Sequence, residues 1–222
     1  MKTGVLLLHG FAGAPEELAP LKKHLEICGY TVSSPVLAGH GGTPGDLGRS
    51  KRGDWIRAAL NAAMELRQHC DSIAVVGFSM GGLIALNLYH RIAIRLLFLV
   101  NTPVFYWDAM NILTNLRTNF SDSFRFYVQS ALHSPIPALV EFDRLLRSTK
   151  LLLPGVRCPV VIMQALDDDT VQARSADYLY HHITGVKTLR KYKTGGHLVF
   201  HSPMAPELCF TIEKTIEADC AD

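Results

Sequence analysis

Short apolar runs and stretches of helical spacing alternate along nearly the whole chain. Residues 5–8, 30–36, 73–76, 96–100, 159–165 and 187–192 read as six strands. Ile73 to Val76 is apolar at every position, as a strand buried on both faces requires. Between the first two strands, Leu21, Leu25 and Cys28 recur at spacings of four and three. That predicts a helix entered at Pro15 or Pro20 and stopped at Cys28-Gly29. Residues 54–68 predict a second helix, with Trp55 near its start and Ile56, Leu60, Ala63 and Met64 along one face. Further helices are expected over 83–89, 172–180 and 206–219, whereas 37–45 is too rich in glycine for regular structure. The alternation is the βαβ pattern of a mainly parallel sheet with helices on both faces.

The pattern breaks between Asn101 and Lys150, which holds Phe105, Tyr106, Trp107, Phe120, Phe124, Phe126, Tyr127 and Phe142. No strand alternation runs through it, so 103–150 is expected to be a short helical cap inserted over the sheet edge. It stays within a single domain, 1–222. Most of these aromatics are expected to be core of the cap itself, with one or two of Phe11, Phe105, Trp107, Phe124 and Phe126 lining an apolar substrate pocket.

Length and composition narrow the reading. The 222 residues suffice for one α/β domain with a sizeable core. Apolar residues at 48% and charged ones at 19% are values of a folded globular chain. The formal charge of +2 comes without a basic block, which argues against nucleic acid or an anionic membrane surface as partner. Cys28, Cys70, Cys158, Cys209 and Cys220 are odd in number and form no C-x-x-C pair. Neither a disulfide framework nor a zinc site is expected, and no metal or cofactor is called for. The first strand follows Met1 almost directly, and no apolar run approaches the about 18 residues of a spanning helix. A cytoplasmic protein without membrane anchoring is the expectation.

The candidate chemistry centres on Gly77-Phe78-Ser79-Met80-Gly81, bracketed by the strand at 73–76 and the helix at 83–89. A serine on a sharp strand-to-helix turn needs small residues two positions to either side, and Gly77 and Gly81 supply them. Ser79 is therefore the candidate nucleophile. Its hydroxyl needs a base, and the base needs a third group to hold its tautomer. In this chain order a carboxylate should follow a late strand, and Asp167-Asp168-Asp169 comes directly after 160–165. Asp168 is the choice, with Asp167 and Asp169 as rivals. The strand at 96–100 ends in Asn101 and Thr102, so no acid stands at the usual alternative position. Gly195-Gly196-His197 follows the last strand and makes His197 the candidate base, with His201 the nearest competitor. The main-chain N–H groups of Met80 and Phe11 are the candidate oxyanion donors. His9 and His40 are expected to brace loops.

Taken together, His9-Gly10-Phe11, Gly39-His40-Gly41, Asp54-Trp55, Gly77-Phe78-Ser79-Met80-Gly81-Gly82, Gln164-Ala165 with Asp168, and Gly196-His197 resemble the α/β-hydrolase superfamily. Within it, the chain is similar to the small bacterial carboxylesterases and monoacylglycerol-lipase-like enzymes. The resemblance covers essentially the full chain, which starts at what would be the third strand of the superfamily sheet. It implies a trimmed sheet of about six strands and a cofactor-free serine esterase acting on a small-molecule ester. Charged residues interspersed in the cap (Arg117, Asp122, Arg125, Arg144, Arg147) favour short-to-medium acyl chains over an interfacial lipase. A monoacylglycerol lipase is the first alternative, followed by a thioesterase or carbon–carbon hydrolase on the same triad. A non-catalytic binding module is the remote one, since a binder has no use for all three groups.

Overall fold

The computed structural model describes residues 2–105 and 135–221. Six strands form one sheet: β1 (Thr3–Leu8), β2 (Thr31–Ser33), β3 (Ser72–Phe78), β4 (Leu96–Val100), β5 (Val160–Ala165) and β6 (Lys187–Tyr192). Their order is β2-β1-β3-β4-β5-β6, and every pairing is parallel. β1, β4 and β5 are buried at every residue, and β3 at all but its first, which is why they read as continuous apolar runs. At one edge β6 carries Lys187, Arg190 and Lys191, charges that discourage pairing with another chain.

Among the described residues the helices are α1 (Ala19–Ile27), α2 (Pro44–Arg49), α3 (Arg52–Arg67), α4 (Met80–Tyr89), α5 (Ile136–Lys150), α6 (Arg174–His182) and α7 (Ala205–Ala221). Alternate residues of each strand face opposite layers. Val5, Leu7, Val76 and Phe98 pack with Leu21 and Leu25 of α1 and Ile212 and Ile216 of α7. Leu6, Leu8, Val75, Leu97 and Leu99 pack instead with α3, α4, α5 and α6 through Trp55, Ala59, Leu86, Leu145 and Leu179. The chain leaves β1 toward one edge of the sheet and β3 toward the other. The crevice between their diverging loops, at the carboxyl ends, is the topological switch point.

Three details differ from the sequence expectation. β2 covers Thr31–Ser33 and not 30–36, these three residues being the ones that pair with Gly4, Val5 and Leu6 of β1. The glycine-rich stretch ends in α2, started by a capping box that glycine content conceals. Thr43 Oγ1 accepts the Asp46 N–H (3.3 Å) while Asp46 accepts the Thr43 N–H (2.8 Å), with Pro44 at the first helical position. α3 begins at Arg52, two residues early, where Asp54 accepts the Lys51 N–H at 3.0 Å. Of the expected cap, α5 is described. It lies against α2, α3 and α4 and buries Ala138, Phe142, Leu145 and Leu146.

Candidate active site

Ser79 links β3 to α4 with φ 51° and ψ −123°, a left-handed conformation that a residue with a side chain adopts only under constraint. The constraint is visible in the flanking glycines. A Cβ on Gly81 would sit 2.0 Å from the Leu8 carbonyl oxygen, and one on Gly77 would sit 2.5 Å from the Gly81 backbone. A Cβ on Gly82 would reach Thr102 Oγ1 at 2.0 Å. These contacts press the first turn of α4 against the end of β1 and against Thr102. The Ser79 N–H donates to the Val100 carbonyl at 2.9 Å, which ties the turn to β4.

Asp168 and His197 meet in the interior. The His197 Nδ1–H donates to Asp168 Oδ2 at 2.9 Å and Oδ1 at 3.1 Å, and both side chains are fully buried. A carboxylate only accepts, so the ring proton sits on Nδ1 and the Nε2 lone pair is left for the reaction. Asp168 Oδ1 also accepts the N–H groups of Thr170 and Val171, each at 2.8 Å. The His197 ring lies 5.1 Å from that of Phe78, the residue before Ser79. The three adjacent acids divide their work. Asp167 accepts the Gly196 N–H at 2.8 Å and the Gly195 N–H at 3.2 Å, holding the loop that presents the histidine. Asp169 accepts the Thr170 hydroxyl at 3.2 Å. Gly195 and Gly196 turn that loop with φ of 143° and 61°.

Sequence reasoning missed two positioning residues. Asn101 is fully buried with φ 45°; its Nδ2 donates to the Gly196 and His197 carbonyls (3.0 Å each), and its Oδ1 accepts the Ala165 N–H at 2.9 Å. It joins the loop of the acid to the loop of the base. An asparagine closing an apolar strand was the available signal. Glu17, in a 3₁₀ turn over Pro15–Leu18, accepts the Gly10 N–H at 2.7 Å and so steadies the Phe11 loop. No sequence pattern marks it.

His9 and His40 brace loops. His9 Nε2 accepts the Leu37 N–H at 3.0 Å, so its Nδ1–H donates to the Gly10 carbonyl at 2.9 Å. Burial, with His40 nearby, pushes the His9 pKa down to about 4, so the ring stays neutral. Phe11 packs within a cluster of His40, Trp55 and Phe142, with ring centroids 6.2, 6.0 and 5.1 Å away. Phe105 sits elsewhere. Its ring contacts Tyr178 of α6 at 5.3 Å, with Lys150 and Arg174 over its face. Trp107, Phe124 and Phe126 lie outside the described residues. A groove of about 930 Å³ between α3, α4 and α5 is lined by Arg52, Arg91, Glu141 and Arg144 and contains none of Ser79, Asp168 or His197.

Burial works to lower the His197 pKa, but the charge and hydrogen bond of Asp168, with Glu17 and Asp169 adding to them, raise it above the ordinary imidazole value. A general base must be neutral, so with His197 as the candidate base activity is expected to fall as pH drops through this raised pKa. The pH profile of kcat/KM is expected to show an acid limb above the usual histidine range. An acid limb below it would contradict this electrostatic balance.

Residues 5–207 match the alpha/beta hydrolase family. The chain is 31% identical to a thermostable monoacylglycerol lipase of Bacillus sp. (strain H-257), covering 96% of this chain and 89% of that one. It is 26% identical to a carboxylesterase of Bacillus subtilis (strain 168), covering 88% of this chain and 84% of the relative. Among solved structures, a metagenome-derived lipolytic enzyme from the LipS and LipT work superposes with a TM-score of 0.83 at 22% identity, covering 100% of this chain and 94% of that one. Among the described residues, no helix is long and apolar enough to cross a membrane.

Proposed function

From the premise that the chain belongs to the alpha/beta hydrolase family and is a carboxylic-ester hydrolase, we propose that it cleaves short-to-medium-chain acyl esters with Ser79, His197 and Asp168. The observation that carries this reading is the buried Asp168–His197 pair, whose imidazole packs 5.1 Å from the ring of Phe78, the residue before the strained Ser79 turn. Ser79 Oγ attacks the ester carbonyl as His197 Nε2 takes its proton. The tetrahedral oxyanion is received by the main-chain N–H groups of Met80 and Phe11. Collapse expels the alcohol, which collects its proton from His197. Water repeats the sequence on the acyl-enzyme and restores Ser79. Asp168 holds the Nδ1–H tautomer and stabilises the imidazolium formed at each step.

The aromatic cluster around Phe11 supports an apolar acyl or alcohol group beside the oxyanion site. The free thiols Cys28, Cys70, Cys158 and Cys209 are compatible with a reducing cytoplasm as its location. A monoacylglycerol lipase is the second reading, favoured by the relative of that name at 31% identity. A rate series on p-nitrophenyl esters from acetate to palmitate separates the two. The proposal expects kcat/KM to peak at short or medium chains. A maximum at the longest chains would replace it with the lipase reading, and no ester turnover at all would overturn both.

A further inference from the structure

In the helical layer that covers one face of the sheet, His24 and Cys28 lie one turn apart at the end of α1 and face Glu213 of α7. His24 Nε2 stands 2.8 Å from Glu213 Oε2, and Cys28 Sγ stands 3.9 Å from His24 Nε2. All three donor atoms lie within 4.8 Å of one another. We propose that His24, Cys28 and Glu213 form a binding site for a borderline-soft divalent cation, zinc above all, that staples α1 to α7.

The chemistry of the donor set favours this class. One imidazole nitrogen, one thiolate sulfur and one carboxylate oxygen suit Zn²⁺, whereas magnesium and calcium call for oxygen throughout. Around a tetrahedral zinc, such donors are separated by about 3.3–3.6 Å. The nitrogen–oxygen pair must open by about half an ångström, the nitrogen–sulfur pair must close by less, and the sulfur–oxygen pair, within 4.8 Å, must close by up to about 1.3 Å, shifts that rotation of the exposed Cys28 side chain can supply. The second carboxylate oxygen is already engaged, because Lys214 Nζ lies 3.1 Å from Glu213 Oε1, which leaves Oε2 for the metal. Cys28 is exposed and the His24 side chain is 32% exposed, so the cation has an entry path and room for a water as fourth ligand. Binding displaces the Cys28 thiol proton to solvent, breaks the His24–Glu213 hydrogen bond and requires the His24 ring to give up its Nε2 proton while keeping one on Nδ1, with no change of oxidation state.

The position explains what the site would do. α1 follows the loop that carries Phe11, and α7 follows the loop that carries His197. A cation joining them clamps two elements that flank the crevice without entering it. It acts on stability and not on the chemical step.

Tag-free, chelator-treated protein is titrated with ZnCl₂ by calorimetry, and in parallel with Co²⁺ followed by absorption. The expected result is one equivalent bound with Kd of about 10 μM or tighter. Co²⁺ should give a thiolate charge-transfer band together with the intense visible absorption of a tetrahedral ion. At a hundredfold excess over Kd, zinc should raise Tm by about 5 °C or more. Cys28→Ser and His24→Gln should each weaken binding at least tenfold and remove the Tm shift. Ester turnover should be the same before and after chelation. Equal zinc affinity in the wild type and both variants, or a cobalt spectrum without the thiolate band, would overturn the proposal. Cys28 would then be a bystander to a simple His24–Glu213 ion pair.

Discussion

Replacing Ser79 with alanine is expected to lower kcat by about 10⁶-fold while leaving the fold intact. The loss is large because the three side chains act as one unit, and the base has no proton to take once the hydroxyl is gone. The protein should remain folded for a local reason. Alanine is smaller than serine, and the Ser79 hydroxyl is not what holds the turn in its left-handed conformation. That task falls to the Ser79 N–H bond to Val100 and to the glycine contacts with Leu8, Gly81 and Thr102. Ester turnover and far-ultraviolet circular dichroism, measured on the same sample, check both halves. Activity near wild type would remove Ser79 from the mechanism.

Asp168→Asn should cost about 10⁴ in kcat, while Asp167→Asn and Asp169→Asn cost about tenfold or less. An asparagine amide at position 168 can turn its NH₂ toward Nδ1, which moves the ring proton to Nε2, the atom that must accept from Ser79. At position 167 the change is milder. An asparagine oxygen still accepts one of the two glycine N–H groups that Asp167 now holds. Asp169 bonds the Thr170 hydroxyl, and its remaining influence on His197 is electrostatic. Initial rates of the three variants at saturating ester decide the matter. Equal losses would mean that the acid is not Asp168.

The six strands and their mainly parallel direction were legible from the alternation of strand and helix. The inner ones were clearest, because a strand buried on both faces writes itself as an uninterrupted apolar run, as 73–76 and 96–100 do; the order of the strands in the sheet was not legible. The elbow was legible for a different reason. Gly77 and Gly81 are required by backbone contacts under 3 Å and Gly82 by the Thr102 side chain, so their spacing around Ser79 is dictated by sterics. What escaped were residues whose role depends on bonds across the fold. Asn101 reaches Gly196 and His197 over more than ninety residues, and Glu17 reaches back to Gly10 from a short 3₁₀ turn. Glu17 has no local pattern to betray it, and Asn101 has only its place at the end of an apolar strand. α2 escaped because its glycines outweighed the Thr43–Asp46 capping box, which is a stronger signal than composition. The run of acids at 167–169 was ambiguous by one position, since adjacent residues differ only in where the turn aims them. His24 and Glu213 are 189 residues apart, so their pairing required the two helices to be packed together.

The most direct test of the account is the intact mass of the protein after reaction with a fluorophosphonate, followed by peptide mapping. The account expects a single adduct on Ser79 that forms in step with the loss of ester hydrolysis and is absent from Ser79→Ala. An adduct on another residue, or full loss of activity with Ser79 unmodified, would contradict it.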